Sequence, residues 1–237
     1  MFKHYFVADI HLGRSSQDIH AREKAFADWL DSIASDAAAL YLLGDIFDFW
    51  WEYKYVVPKG YVRVLGKLAR LVDSGVSVHF FKGNHDQWTY GYLENEVGLQ
   101  VHDKPLVMQI GRGRFCLGHE HRQNSGLFGS RFLQRCFGSV HPRWGMSIGY
   151  TWSANHRMRS VAPDGAQEGV ESLCRFAATF PRPVDYFVFG HLHTPFNAIL
   201  ANGVRIIVLG AWMDGGEYGV FDEQADVFEL KSAYYGT

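Results

Sequence analysis

Five short polar segments carry residue types that bind metal ions: Asp9-Ile10-His11, Gly44-Asp45-Ile46-Phe47-Asp48, Gly83-Asn84-His85-Asp86, Gly118-His119-Glu120-His121 and Gly190-His191-Leu192-His193. Six of the chain's 12 histidines lie in them. Carboxylate oxygen, amide oxygen and imidazole nitrogen together suit divalent ions such as Mn²⁺, Fe²⁺ and Zn²⁺. Two such ions about 3.5–4 Å apart need a carboxylate shared between them. Asp45 is the natural bridge. Asp9, His11 and one of His191 or His193 would complete one ion; Asn84, His119 and the other histidine would complete the second. Cysteine is absent from all five segments, which disfavours a structural zinc site. Each motif alone has an ordinary explanation: Asp-x-His as surface polarity, Gly-Asp-x-x-Asp as a turn and helix N-cap. Gly-His-x-His says more, because residues two apart on an extended chain point the same way. Five such motifs in one order are a much stronger signal than any one of them.

Each segment follows an apolar run: Phe6-Val7-Ala8, Tyr41-Leu42-Leu43, His79-Phe80-Phe81, Phe115-Cys116-Leu117 and Phe187-Val188-Phe189. These runs read as strands, and ligands in open α/β sheets gather beyond the carboxyl ends of strands. Helices are expected between them over Ala21–Ile33 and Tyr61–Val72, each with apolar residues at helical spacing, and over Gln167–Phe180. The alternation predicts an α/β core with a parallel-type sheet. Leu106–Ile110 and Arg114–Leu117 read as a hairpin, and further strands are expected at Asn197–Ala201, Arg205–Leu209 and Val227–Leu230.

The 237 residues make one large domain the economical reading. With 20% charged residues and a formal charge of −2, no nucleic-acid-binding tail is expected. Three widely spaced cysteines argue against a disulfide framework and for a reducing compartment. Met1-Phe2-Lys3-His4-Tyr5 runs into a strand without a signal-peptide layout, so a cytoplasmic location is expected. The charge is unevenly spread: Arg122 to Pro163 holds six arginines and no Asp, Glu or Lys. Phe128, Phe132, Leu133, Phe137, Trp144, Met146, Tyr150 and Trp152 alternate with them. A basic and aromatic insertion over residues 122–163 suits an anionic, partly apolar partner.

The ordered motifs resemble those of the calcineurin-like metallophosphoesterase superfamily, across most of the chain from Asp9 to His193. That resemblance implies a four-layer sandwich of two mixed β-sheets flanked by helices. It implies Asp9, His11, Asp45 and His193 at one ion, and Asp45, Asn84, His119 and His191 at the other. It also implies that His85 acts beside the phosphate, oriented by Asp48, with Asn84 and His85 in contact with substrate. Phe47-Asp48-Phe49-Trp50 and the basic insertion after the fourth motif are similar to those of UDP-2,3-diacylglucosamine hydrolases of lipid A synthesis. There the insertion caps the site and holds acyl chains, and hydrolysis yields UMP and 2,3-diacylglucosamine 1-phosphate. One departure stands out: that group reads His-Gly-Asp at the fourth motif, where this chain has His119-Glu120-His121. Ligation by His119 survives the change, but the following residues do not match.

The expected reaction is metal-assisted attack of water on phosphorus, with two divalent ions, Mn²⁺ foremost and Fe²⁺ or Zn²⁺ as alternatives. Arg157 and Arg159 are candidates to clamp a diphosphate bidentately. Expected partners are an acylated UDP-sugar and, peripherally, the anionic inner-membrane surface; oligomeric state is open. A soluble phosphodiesterase or phosphoprotein phosphatase would keep the same five motifs, and a catalytically silent membrane-surface module would keep the basic insertion.

Overall fold

The computed structural model describes residues 2–13, 19–120, 151 and 163–233. Along the chain run β1 (Lys3–Val7), α1 (Ile19–Ile33), β2 (Ala37–Leu43), α2 (Val62–Asp73), β3 (Ser77–Phe81), α3 (Tyr92–Asn95) and β4 (Gln100–His102). Next come β5 (Leu106–Ile110), β6 (Gly113–Gly118), α4 (Pro163–Ala178), β7 (Tyr186–Phe189), β8 (Phe196–Ile199) and β9 (Arg205–Val208). Last are α5 (Trp212–Gly215), β10 (Glu217–Asp222) and β11 (Val227–Ser232). They form two sheets, ordered β11-β10-β1-β2-β3-β4 and β5-β6-β7-β9-β8.

Both sheets are mixed. β1 through β4 run parallel, as do β6, β7 and β9. The outer pairings β1–β10, β10–β11, β5–β6 and β8–β9 are antiparallel. The parallel core matches the strand-helix alternation of the sequence, and the antiparallel rims add to it.

Strand alternation divides the core into layers. Phe6, Tyr41, Leu43 and Phe81 of the first sheet meet Phe115, Leu117, Val188 and Ile207 of the second. The opposite faces of β1–β3, with Val7, Leu40, Leu42 and Phe80, pack on Phe26, Leu30, Leu65 and Leu68 of α1 and α2. Cys116, Phe187 and Ile206 face Leu173 and Ala177 of α4. The result is helix, sheet, sheet, helix, the expected four layers. Because the inner strands are buried on both faces, they read as continuous apolar runs.

Two strands escape the sequence patterns. β10 contains Glu217, Gly219 and Asp222, which weaken its strand signal, yet it pairs fully with β1 and β11. β4 is three residues long and gains its identity only from β3 beside it. The insertion expected over 122–163 lies outside the described residues up to its last position, apart from Thr151.

Candidate metal centre

The five segments leave the carboxyl ends of β1, β2, β3, β6 and β7, and hydrogen bonds lace their backbones together. Asp9 N–H donates to the Gly44 carbonyl at 3.1 Å and His11 N–H to the Asp45 carbonyl at 3.0 Å. Gly190 N–H donates to the His119 carbonyl at 3.2 Å, and His191 N–H to Asp9 Oδ2 at 2.9 Å. The two sheets thus share one rim. Asp9, His11, Asp45, His191 and His193 all adopt positive φ, between 48° and 73°. Tyr61 and Asp226 are the other non-glycine residues in that region among those described. Left-handed backbone costs a non-glycine residue about 1–2 kcal/mol, and such strain concentrates at functional sites. Gly83 has a different reason to be glycine: a Cβ there would collide with the backbone nitrogen and carboxylate of Asp45.

The side chains converge in two groups. In one, His193 Nε2 lies 3.2 Å from Asp9 Oδ1 and 3.3 Å from His11 Nε2. In the other, His119 Nε2 lies 3.4 Å from Asp45 Oδ2, 3.2 Å from His191 Nδ1 and 3.2 Å from Asn84 Oδ1. Asp45 Oδ2 is also 3.8 Å from His11 Nε2, so it faces both groups. Ligand atoms each about 2.1 Å from one ion stand roughly 3–3.4 Å apart, so these spacings fit a shared cation.

Hydrogen bonding gives a second test of fit. Asp9 Oδ1 is buried and makes no hydrogen bond of normal geometry in the described structure. His119 Nδ1 donates to the Leu43 carbonyl at 2.8 Å, which leaves a lone pair on Nε2 in the neutral ring. That lone pair faces an Asn84 oxygen and an Asp45 oxygen, both acceptors. Acceptors converging on one point require a proton or a cation between them. Without a metal the proton fills the role. Burial disfavours charge on His119, but Asp45 outweighs it and pushes the ring up to about 10. Burial and the charge on His119 then take His191 down to about 4. Burial acts against the Asp45 carboxylate too, yet His119 and His85 hold it well below the usual range.

His85 sits beside the groups. Its backbone N–H donates to Asp45 Oδ1 at 2.8 Å, and its Nε2 lies 3.9 Å from Asp45 Oδ2. Its Nδ1 meets the backbone carbonyl of Asp48 at 3.0 Å. The Asp48 carboxylate instead faces His11 Nδ1 at 3.4 Å. His11, Asp48 and His85 form a third group of candidate ligands. Glu120, where the sequence departs from the resembled pattern, brings Oε2 to 3.7 Å from His191 Nε2. His121, Arg157 and Arg159 lie outside the described residues.

Asp86 was visible as the end of Gly-Asn-His-Asp, but nothing in the sequence assigned it a task. Its buried carboxylate accepts backbone N–H groups from Ile46 at 2.7 Å, Gly83 at 2.8 Å, Phe47 at 3.2 Å and Asp45 at 3.3 Å. It therefore ties the second segment to the third. Its spacing of three residues from Gly83, within one tight loop, was the available signal.

The chain is similar to known proteins along nearly its whole length. Residues 2–195 match the model of the calcineurin-like phosphoesterase family. A UDP-2,3-diacylglucosamine hydrolase of Porphyromonas gingivalis is 36% identical over 96% of this chain and 97% of its own length. One from Shewanella baltica is 26% identical over 96% and 95% respectively. A dimetal phosphatase from Danio rerio superposes with TM-score 0.48 at 14% identity, over 98% of this chain and 95% of its own.

Proposed function

The chain belongs to the calcineurin-like phosphoesterase family and is a hydrolase, and we propose that it cleaves UDP-2,3-diacylglucosamine to UMP and 2,3-diacylglucosamine 1-phosphate. The carrying observation is two groups of candidate ligands, with Asp45 of one also 3.8 Å from His11 of the other, in a chain 36% identical along nearly its whole length to a protein of that name. Asp9, His11 and His193 would hold one divalent ion and Asn84, His119 and His191 the other, with Asp45 between them. A cysteine-free set of imidazole, carboxylate and amide suits Mn²⁺, with Fe²⁺ or Zn²⁺ as alternatives. Two ions held there would neutralise phosphoryl oxygens and would lower the pKa of water enough to supply a nucleophile near neutral pH.

The protein's own side chains do the rest. His85, protonated, donates Nδ1–H to the Asp48 carbonyl, which aims Nε2–H at a phosphoryl or leaving oxygen. Such general-acid help is typically worth about 10²–10⁴-fold. Asp48 keeps its carboxylate on His11 and so steadies that ring as a ligand. Asn84 turns its amide oxygen toward His119 Nε2, which would leave its amide nitrogen for the substrate. Arg157 and Arg159 grip the diphosphate, and residues 122–163 cover the acyl chains.

A substrate of this kind brings the enzyme to an anionic membrane on the cytoplasmic side. Lys54, Tyr55, Val56, Lys59, Val62 and Arg63, all exposed, support such peripheral docking, since no acid lies between Glu52 and Asp73. No helix among the described residues is long and apolar enough to cross a membrane.

The test compares the acylated UDP-sugar, bare UDP-glucosamine and a simple aryl phosphodiester as substrates for the Mn²⁺-loaded protein. Strong preference for the acylated sugar is expected, because each buried CH₂ contributes roughly 0.8 kcal/mol. Arg157→Ala with Arg159→Ala should reduce that activity and spare the aryl diester. Equal turnover of acylated and bare sugars would leave a soluble phosphodiesterase or phosphatase; vesicle binding without hydrolysis of any substrate would leave a silent surface module.

A further inference from the structure

The segment after Asp48 and the segment after His85 run beside each other as a small ladder outside both sheets. Trp50 N–H donates to the His85 carbonyl at 3.2 Å, and Glu52 N–H to the Trp88 carbonyl at 3.0 Å. Trp51 and Trp88 form a parallel bridge between these bonds, and their rings stack with centroids 5.1 Å apart. Across this ladder His85 Nδ1 reaches the Asp48 carbonyl. Any slip of one segment against the other would therefore swing the imidazole.

One buried carboxylate closes the ladder. Glu52 is 3% exposed, surrounded by Trp50, Trp88 and the start of α3. Its Oε1 accepts Trp50 Nε1–H at 3.0 Å and Leu93 N–H at 3.4 Å. Its Oε2 accepts Tyr92 N–H at 3.0 Å and also the Tyr90 N–H. The N-cap of α3 is Gly91, which has no side chain to cap it, so Glu52 supplies the missing acceptor to Tyr92 N–H from 40 residues away. An acid buried this deeply would cost several kcal/mol without such donors. Four donors on one carboxylate hold the ladder at its far end, as the Asp48–His85 contact holds it at the near end.

We propose that Glu52 is a positioning residue for His85, fixing the imidazole over the metal groups without touching substrate or metal. The inference rests on the role given to His85 in the proposed reaction. Gln at position 52 keeps the shape but turns an N–H₂ group toward backbone N–H groups that need an acceptor. Glu52→Gln should retain two bound ions per chain, with kcat falling about 10²-fold for a misplacement near 1 Å and KM nearly unchanged.

A purely structural role would also lower kcat, so a double-mutant cycle decides. It uses an aryl phosphodiester, which needs neither the insertion nor the acyl chains. In a His85→Ala background Glu52→Gln should change kcat less than twofold, because its route to the reaction is already gone. Further loss of the same size as in the wild type would overturn the proposal. Full activity in His85→Ala alone would instead remove the assigned role of His85. Should Glu52→Gln fail to fold, Trp50→Phe removes one donor while keeping the carboxylate, and the same cycle applies: additivity with His85→Ala overturns the positioning role.

Discussion

At the carboxyl ends of the strands His11, His119, His191 and His193 alternate with Asp9 and Asp45, all but His119 on left-handed backbone. Inside the first sheet His4, Tyr41, His79 and His102 lie across β1 to β4 on extended backbone. Tyr41 stacks on His79 with centroids 4.9 Å apart, and His79 on His102 at 5.3 Å. Both regions bring imidazole nitrogens within hydrogen-bonding reach: His79 Nδ1 and His102 Nε2 are 3.0 Å apart, His119 Nε2 and His191 Nδ1 3.2 Å. What surrounds each pair separates them. Within the sheet one neutral ring donates to the other, and the pair is satisfied. At the rim His119 has already given its Nδ1–H to the Leu43 carbonyl, and its other nitrogen meets an Asn84 oxygen and an Asp45 carboxylate oxygen as well as the His191 ring. Carboxylates among the rings and strained backbone, more than histidine number, mark a place built for cations.

The largest effect should come from removing the residue that faces both ligand groups. Asp45→Ala is expected to lose both ions and nearly all activity together, on the order of 10³-fold or more. Metal analysis showing two ions retained would break the bridging role. His85→Ala should keep both ions and lose about 10²–10⁴-fold in turnover, which separates proton delivery from metal holding.

A smaller effect concerns protons. His119, raised to about 10, carries a proton at neutral pH in the metal-free protein, and ligation requires the neutral ring. That raised value stabilises the metal-free fold fully below the ordinary pKa of 6.5, and the contribution fades as pH rises toward 10. Metal binding works in the opposite sense, displacing the proton, so affinity should rise about tenfold per pH unit between pH 7 and 9. Titration calorimetry in buffers of different ionisation enthalpy should show a released proton, and His119→Asn should abolish that release.

Much of this rim was legible because its logic is local. Asp9-x-His11, Gly83-Asn84-His85-Asp86 and Gly190-His191-x-His193 each place donors a fixed step beyond a strand, and sequence order alone brings parallel strands' ends together. The division of His191 and His193 between the two groups stayed open on spacing alone, because it depends on the left-handed turns at both residues. The task of Asp86 depends on N–H groups 39 to 41 residues away, and that of Glu52 on groups 38 to 41 away. Neither separation leaves a periodic trace. β10 was hidden for a related reason: its pairing with β1 joins opposite ends of the chain.

The smallest effect tests the stacked histidines directly. Burial takes His79 down to about 4 in the folded protein, against an ordinary 6.5, with His102 and His4 adding to it. Burial also lowers His102, partly opposed by Asp103, and lowers His4, opposed by Glu223. Between pH 6.5 and 4 the unfolded chain therefore binds more protons at position 79 than the folded one. Stability present above pH 6.5 is lost as pH falls through that window. His79→Phe keeps the ring stack on Tyr41 but cannot take up the proton. It should flatten the acid limb of a denaturation-against-pH curve by on the order of 1 kcal/mol, while costing a similar amount at neutral pH for the lost His102 hydrogen bond. Metal content and turnover should not change. Loss of an ion in His79→Phe would mean that the interior stack reaches the rim after all, and that the two sets of histidines form one network.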